Sequence, residues 1–229
     1  MQWTVLKDPE AVAKAACARI VQASREAIRS RGSFHIVLAG GTTPAHTYAL
    51  LAEEDCDWEN WHIWFGDERC LPADDPDRNS VMVENMLTSK VAIPGQQVHI
   101  IAAESGPELA VEQYTLLLEK LAPFDMVLLG IGEDGHTASL FPGHEFANDR
   151  AVLPVYNAPK YPAQRVTLSP VMLSRCRHLL FMVTGRSKSA AVSRWQRGEK
   201  LPVSLIRAIE DAVVLIDRQA APENNPDNG

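Results

Sequence analysis

Cysteine is scarce in this 229-residue chain: Cys17, Cys56, Cys70 and Cys176 stand far apart, and no two form a CxxC. That spacing argues against a zinc knuckle or a disulfide framework and suits reduced thiols in a cytosol. Basic residues are outnumbered, 22 Lys and Arg against 29 Asp and Glu, for a formal charge of −7. Such a balance disfavours nucleic acid, and an anionic ligand would need a local basic pocket set against the global field. Long apolar runs are missing as well; none approaches the ~20 residues that span a bilayer. The start, Met1 to Pro9, lacks the basic-then-apolar layout of a secretory signal. No internal repeat or interdomain linker is visible. The expectation is a cytoplasmic protein, a monomer or weak homo-oligomer, acting on a small molecule, with no nucleic-acid or membrane partner.

What is present is a regular alternation. Apolar residues make up 46% and charged residues 22%, the balance of a globular enzyme able to bury a sizeable core. Residues 9–31 carry apolar positions at helical spacing and close on Gly32. Strands are expected at 34–39, 61–65, 98–101, 124–131, 165–168, 178–183 and 212–216. Helices are expected at 44–51, 79–87 and 107–121, and near 187–197 and 203–209. Strands alternating with helices predict a mostly parallel sheet with helices on both faces. Residues 1–217 read as one α/β domain, and the polar stretch 218–229 as a disordered tail.

Three turns follow expected strands, where open α/β sheets gather their chemistry. The first is Leu38-Ala-Gly40-Gly41-Thr42-Thr43-Pro44. Two glycines, Thr43 as a candidate N-cap and Pro44 in the first turn announce a helix whose N–H groups suit a phosphate. A plain strand-to-helix turn would read the same way, and no Gly-Lys-Ser/Thr follows to make a Walker loop. The second is Trp64-Phe65-Gly66-Asp67-Glu68-Arg69. Arg69 suits a phosphate or a developing oxyanion, and Asp67 would orient it or handle a proton. Surface ion pairing is the plainer alternative.

The third turn, Gly130-Ile-Gly-Glu-Asp-Gly-His136, contains GxGxxG, the dinucleotide fingerprint. Glu133 and Asp134 would repel a pyrophosphate, and Pro142 leaves little room for the helix that fingerprint requires. His136 is the better candidate for a general base, with Asp134 orienting its ring or favouring its protonated form. A metal site from His136 and His144 lacks a compact ligand set. Serine catalysis lacks a GxSxG, and Ser139 has no base partner beyond its nearness to His136. Arg165, opening its strand, and Lys188, between a strand and a helix, are candidate cations for closing a phosphate pocket.

Together the motifs Leu-Ala-Gly-Gly-Thr-Thr-Pro, Trp-Phe-Gly-Asp-Glu-Arg and Gly-Ile-Gly-Glu-Asp-Gly-His-Thr-Ala-Ser-Leu-Phe-Pro-Gly resemble the 6-phosphogluconolactonase family. The resemblance runs from the first helix through Ile216. It implies a Rossmann-like α/β fold shared with glucosamine-6-phosphate deaminases. It further implies a hydrolase that opens 6-phosphoglucono-δ-lactone to 6-phosphogluconate in the oxidative pentose phosphate pathway, without metal or organic cofactor. Carried over by motif, His136 activates water, while Gly40, Gly41 and Thr42 hold the phosphate with Arg165 and Lys188. Arg69 binds substrate near the reacting end, and Asp67 and Asp134 complete the site. The related deaminases place an acid five residues after the loop histidine; here that position is Phe141, which removes their proton relay. A sugar-phosphate isomerase or deaminase of the same fold stays open as an alternative, as does a non-catalytic sugar-phosphate-binding regulator.

Overall fold

Short-range chemistry sets the first elements of the computed structural model, which describes residues 1–119, 121–147 and 149–222. Strand β1 (Gln2–Leu6) leads into α1 (Pro9–Arg31), whose N-cap Asp8 accepts the Ala11 N–H at 2.9 Å and whose end turns on left-handed Gly32. The α1 stripe of Val12, Ala16, Ile20 and Ala27 is fully buried, at the spacing of one helix face. Then follow β2 (Phe34–Leu38), α2 (Thr42–Leu51), β3 (Trp61–Phe65) and the three-residue β4 (Asp67–Arg69). Helix α3 (Asn79–Val83) runs on into a π turn, Glu84–Thr88, before β5 (Val98–His99), α4 (Pro107–Leu118) and β6 (Phe124–Leu129). The remaining elements are β7 (Val152–Val155), β8 (Arg165–Leu168), α5 (Pro170–Ser174), β9 (Cys176–Val183), α6 (Ser189–Gln196) and β10 (Asp211–Asp217).

Seven strands form one parallel sheet in the order β1-β10-β9-β6-β2-β3-β5. Its centre, β6, is buried at every residue, as a parallel strand covered on both faces must be. The polar exception there, Asp125, accepts the His35 N–H at 2.8 Å and pairs with Arg31 at 2.7 Å. From β2 the chain steps outward to β3 and β5, then returns to the other side of β2 for β6, β9 and β10. The loops after β2 and β6 therefore run apart at the strands' carboxyl ends and leave a crevice. A small antiparallel sheet, β4-β8-β7, adjoins that end, joined through the Gly66 carbonyl, which accepts the Leu168 N–H at 2.8 Å.

The architecture is the expected one, a mostly parallel Rossmann-like sheet flanked by helices. Strands β1, β4 and β7 and helix α5 went unread because each spans five residues or fewer, too short to show a period. The helix expected over 203–209 is only a 3-10 turn, Pro202–Leu205. Val203 and Ile206 are both buried, yet Ile206 already has an extended backbone. The tail expected from Arg218 onward is packed in its first residues. Ala220 is fully buried and donates its N–H to Asp217 Oδ1 at 2.8 Å, while residues 223–229 lie outside the described ones. Among the described residues, no helix is long and apolar enough to cross a membrane.

Candidate active site

Space dictates the glycines after β2. A Cβ at Gly40 would sit 2.0 Å from Asn79 Oδ1, and Gly41 holds a φ of 112°, which side chains disfavour. Gly41 rather than Thr43 caps α2: the first helical bond runs from the Ala45 N–H to the Gly41 carbonyl at 3.0 Å. The Thr42 and Thr43 N–H groups thus have no helical acceptor, and Pro44 has no N–H at all. That makes the start of α2 a place for an anion. The Thr43 hydroxyl, freed from capping, meets Thr184 Oγ1 at 2.6 Å and ties α2 to the end of β9.

No helix follows β6. Instead the Thr137 hydroxyl donates to the Gly130 carbonyl at 2.8 Å, and the Gly132 N–H to the His136 carbonyl at 2.7 Å, closing a compact loop. This removes the dinucleotide reading of GxGxxG, which needs a helix N-terminus behind it. At Gly132 a Cβ would lie 2.0 Å from His136 Nδ1, so glycine is what allows the ring to fold back over the loop. Asp134 Oδ1 accepts the His136 N–H at 3.0 Å and stands 2.5 Å from Nδ1. A carboxylate at Nδ1 leaves the ring's lone pair on Nε2. Burial by itself would raise the Asp134 carboxyl, but the His136 N–H and imidazole outweigh it and hold the group below its ordinary value. The His136 side chain is 19% exposed, and the Phe141 ring flanks it at 4.8 Å.

Asp67 and Arg69 belong to β4 rather than to a loop, and register places Arg69 opposite Arg165 of β8. Strand alternation turns Glu68 the other way. Fully buried, Glu68 accepts the Asn79 and Ser80 N–H groups, each at 2.8 Å, and so caps α3. Asp67 is 7% exposed and accepts the Ser139 hydroxyl at 2.6 Å and the Asn79 amide at 3.3 Å. Arg69 donates from Nη1 to the Asp77 carbonyl, while its buried Nε has no hydrogen-bond partner among the described residues. Such an unsatisfied donor invites a ligand acceptor. Arg165 is buried, with its guanidinium over the Phe141 ring at 5.6 Å. Burial lowers its pKa; Asp67 opposes the fall and Arg69 adds to it. Lys188 lies 3.9 Å from Glu133 Oε1.

These groups meet in one cleft of about 460 Å³ at the β2/β6 crevice. Gly40, Gly41, Thr42, Asp67, Arg69, His136, Arg165 and Lys188 all line it, and Asp134 acts on it through the His136 ring. Sequence reasoning missed four neighbours. Asn79 read only as a helix start, while Thr184 and Lys160 fell in none of the expected elements. Ser139 was weighed against His136, whereas its partner Asp67 lies 72 positions away. Among the described residues, no group of three or more His, Cys, Asp or Glu is placed to hold a metal ion.

A family model described as glucosamine-6-phosphate isomerases/6-phosphogluconolactonase matches residues 7–215. The chain is 33% identical to a 6-phosphogluconolactonase of Streptomyces coelicolor, over 96% of its own length and 93% of the relative's. It is similar to the crystal structure of 6-phosphogluconolactonase from Thermotoga maritima, with a TM-score of 0.89 and 27% identity, over 95% of this chain and 99% of that one. A monomeric glucosamine-6-phosphate deaminase matches with a TM-score of 0.81 at 24% identity, over 96% and 98%, and speaks to the fold alone. The chain belongs to the glucosamine-6-phosphate isomerase/6-phosphogluconolactonase family.

Proposed function

We propose that this chain hydrolyses 6-phospho-D-glucono-1,5-lactone to 6-phospho-D-gluconate, a step of the oxidative pentose phosphate pathway, with His136 as general base. One observation carries the reading: the His136–Asp134 pair and the di-glycine helix start belong to the same cleft. The Thr42 and Thr43 N–H groups and the Lys188 ammonium take the phosphate. That anchor turns remote binding energy into alignment of the ester. Water gives its proton to His136 Nε2 as its oxygen attacks C1, and the carbonyl electron pair moves onto oxygen. The Arg69 guanidinium steadies this oxyanion. Collapse re-forms the carbonyl and breaks the bond from C1 to the ring oxygen, which takes the proton back from the imidazolium. Asp134 holds Nδ1–H throughout and stabilises the imidazolium. A reducing cytosol suits the four unpaired thiols.

Phe141 favours hydrolysis over deamination. A buried apolar ring stands where a deaminase would need an acid to relay protons during ring opening. The test generates the lactone in situ with glucose-6-phosphate dehydrogenase and follows acid release with and without the protein. The expected result is acceleration that His136→Ala abolishes while 6-phosphogluconate still binds. Ammonia release from glucosamine 6-phosphate would replace the reading with a deaminase, and an unchanged spontaneous rate would replace it with a binding protein.

A further inference from the structure

Four cations line the cleft, and three are engaged by the protein itself. Arg69 gives Nη1 to the Asp77 carbonyl, and Lys188 faces Glu133 at 3.9 Å. Arg165 donates Nε to the Pro162 carbonyl at 3.1 Å, and Nη2 to the carbonyls of Lys160 at 2.8 Å and Tyr161 at 3.0 Å. Lys160 is the fourth; among the described residues its ammonium has neither an ion pair nor a hydrogen bond. Among the described residues nothing orders that side chain, so its place at the cleft is set by the backbone beneath it.

The backbone there is held firmly. Three successive carbonyls, of Lys160, Tyr161 and Pro162, converge on one buried guanidinium, and the Ala158 N–H closes the turn onto the Ala163 carbonyl at 2.9 Å. Pro162 is buried while Lys160 and Tyr161 are exposed, Tyr161 to 79%. The planar fork of Arg suits such a fan of acceptors, and a single ammonium does not. The same guanidinium lies over Phe141, which flanks His136, so the turn is registered against the proposed base. A phosphate dianion in a chain of net charge −7 calls for local cations that the protein has not already neutralised.

We propose that the turn of Lys160, Tyr161 and Pro162 is a recognition element for the substrate phosphate, with the Lys160 ammonium as its contact. Arg165 is the positioning residue that presents this turn through its carbonyls. The inference rests on the lactonase reading above and names one more determinant of its substrate class. Specificity for a phosphorylated over a plain sugar lactone then depends on Lys160 as well as on α2 and Lys188.

Kinetics on Lys160→Met, Lys160→Arg and Arg165→Lys test it. Lys160→Met should raise KM for the phosphorylated lactone about tenfold and leave kcat within about twofold, and Lys160→Arg should recover most of the loss. Inhibition by inorganic phosphate should weaken in the same order, whereas turnover of unphosphorylated glucono-δ-lactone should not change. Arg165→Lys should speed tryptic cleavage after Lys160, mapped by mass spectrometry, because the three carbonyls lose their fork. An unchanged KM in Lys160→Met, or an equal loss on both lactones, overturns the role of Lys160; unchanged cleavage overturns that of Arg165. A wild-type protein without lactonase activity defeats the enzymatic reading instead. Calorimetric titration of 6-phosphogluconate into wild type and Lys160→Met would then still decide whether Lys160 meets the phosphate.

Discussion

Two regions of the parallel sheet hold histidine and put it to different uses. Beyond the carboxyl ends, His136 stands against a carboxylate with one side of its ring toward an open cleft. In the body of the sheet, His35 of β2 and His62 of β3 are register partners stacked at 4.2 Å, with 8° between their planes. His99 of β5 stacks on Trp64 at 3.8 Å and meets His62 Nδ1 at 3.3 Å. Burial, then the neighbouring His62, pushes His35 down to about 4 against the pull of Asp125. Burial, then His62 and His35, does the same to His99. These rings are neutral packing groups at neutral pH, whereas His136 has Asp134 at Nδ1 to balance the charge of a proton taken at Nε2. An acid at one ring nitrogen and an open side at the other separate a base from a filler; the residue type does not.

The largest expected effect tests that separation directly. His136→Ala should lower kcat by about 10²–10⁴ with product affinity nearly unchanged, read in the coupled lactone assay and by titration. A comparable loss from His62→Gln would break the contrast. Next comes Gly132→Ala, whose new methyl would displace the imidazole that now lies 2.0 Å from the Cβ position. A base moved by an ångström should cost kcat on the order of 10²-fold, with the far-UV circular dichroism unaltered. Asp134→Asn should also lower kcat, by less than His136→Ala does, because the ring stays in place but loses the hold on its tautomer and on the imidazolium. If Asp134→Asn matched His136→Ala, the ring and the carboxylate would be acting as a single catalytic unit rather than as a base with an auxiliary.

How much of this was legible in sequence follows the distance between partners. His136 and Asp134 are two residues apart, and the glycines that let them meet are their neighbours, so the pair could be read from one loop. The β6 floor was legible because burial on both faces forces a continuous apolar run. Gly40 and Gly41 announced the start of α2, yet the rule that favours Thr at an N-cap misplaced it by two residues. Thr43 is drawn to Thr184, 141 positions away, and glycine takes the cap. Arg165 was visible as a charge, but its acceptors are main-chain carbonyls, which leave no mark in sequence. Asp67 likewise showed its chemistry without its partner Ser139, because β4 is too short to predict and its pairing with β8 is wholly non-local. Local backbone rules thus locate the site, and tertiary contacts assign the duties within it.

The smallest effect concerns the other histidines and should be seen in stability rather than turnover. His35 and His99 titrate near 4 in the folded protein, against about 6.5 in an unfolded chain. Between those values the unfolded state binds more protons, so stability rises with pH across that window. Above about 6.5 both states are neutral at these rings and the full stability is present; acidification toward 4 removes it progressively. The melting temperature should therefore fall from pH 7 to pH 5, measured by calorimetry on the intact protein. His99→Phe keeps an aromatic face for Trp64 but cannot bind a proton, so its profile should be flatter, by on the order of a few degrees at pH 5. Its kcat at pH 7 should equal that of the wild type, because the stack lies away from the cleft wall. An unaltered slope would mean that His99 is already solvated enough to titrate freely, and the contrast between the two regions would then rest on His136 alone.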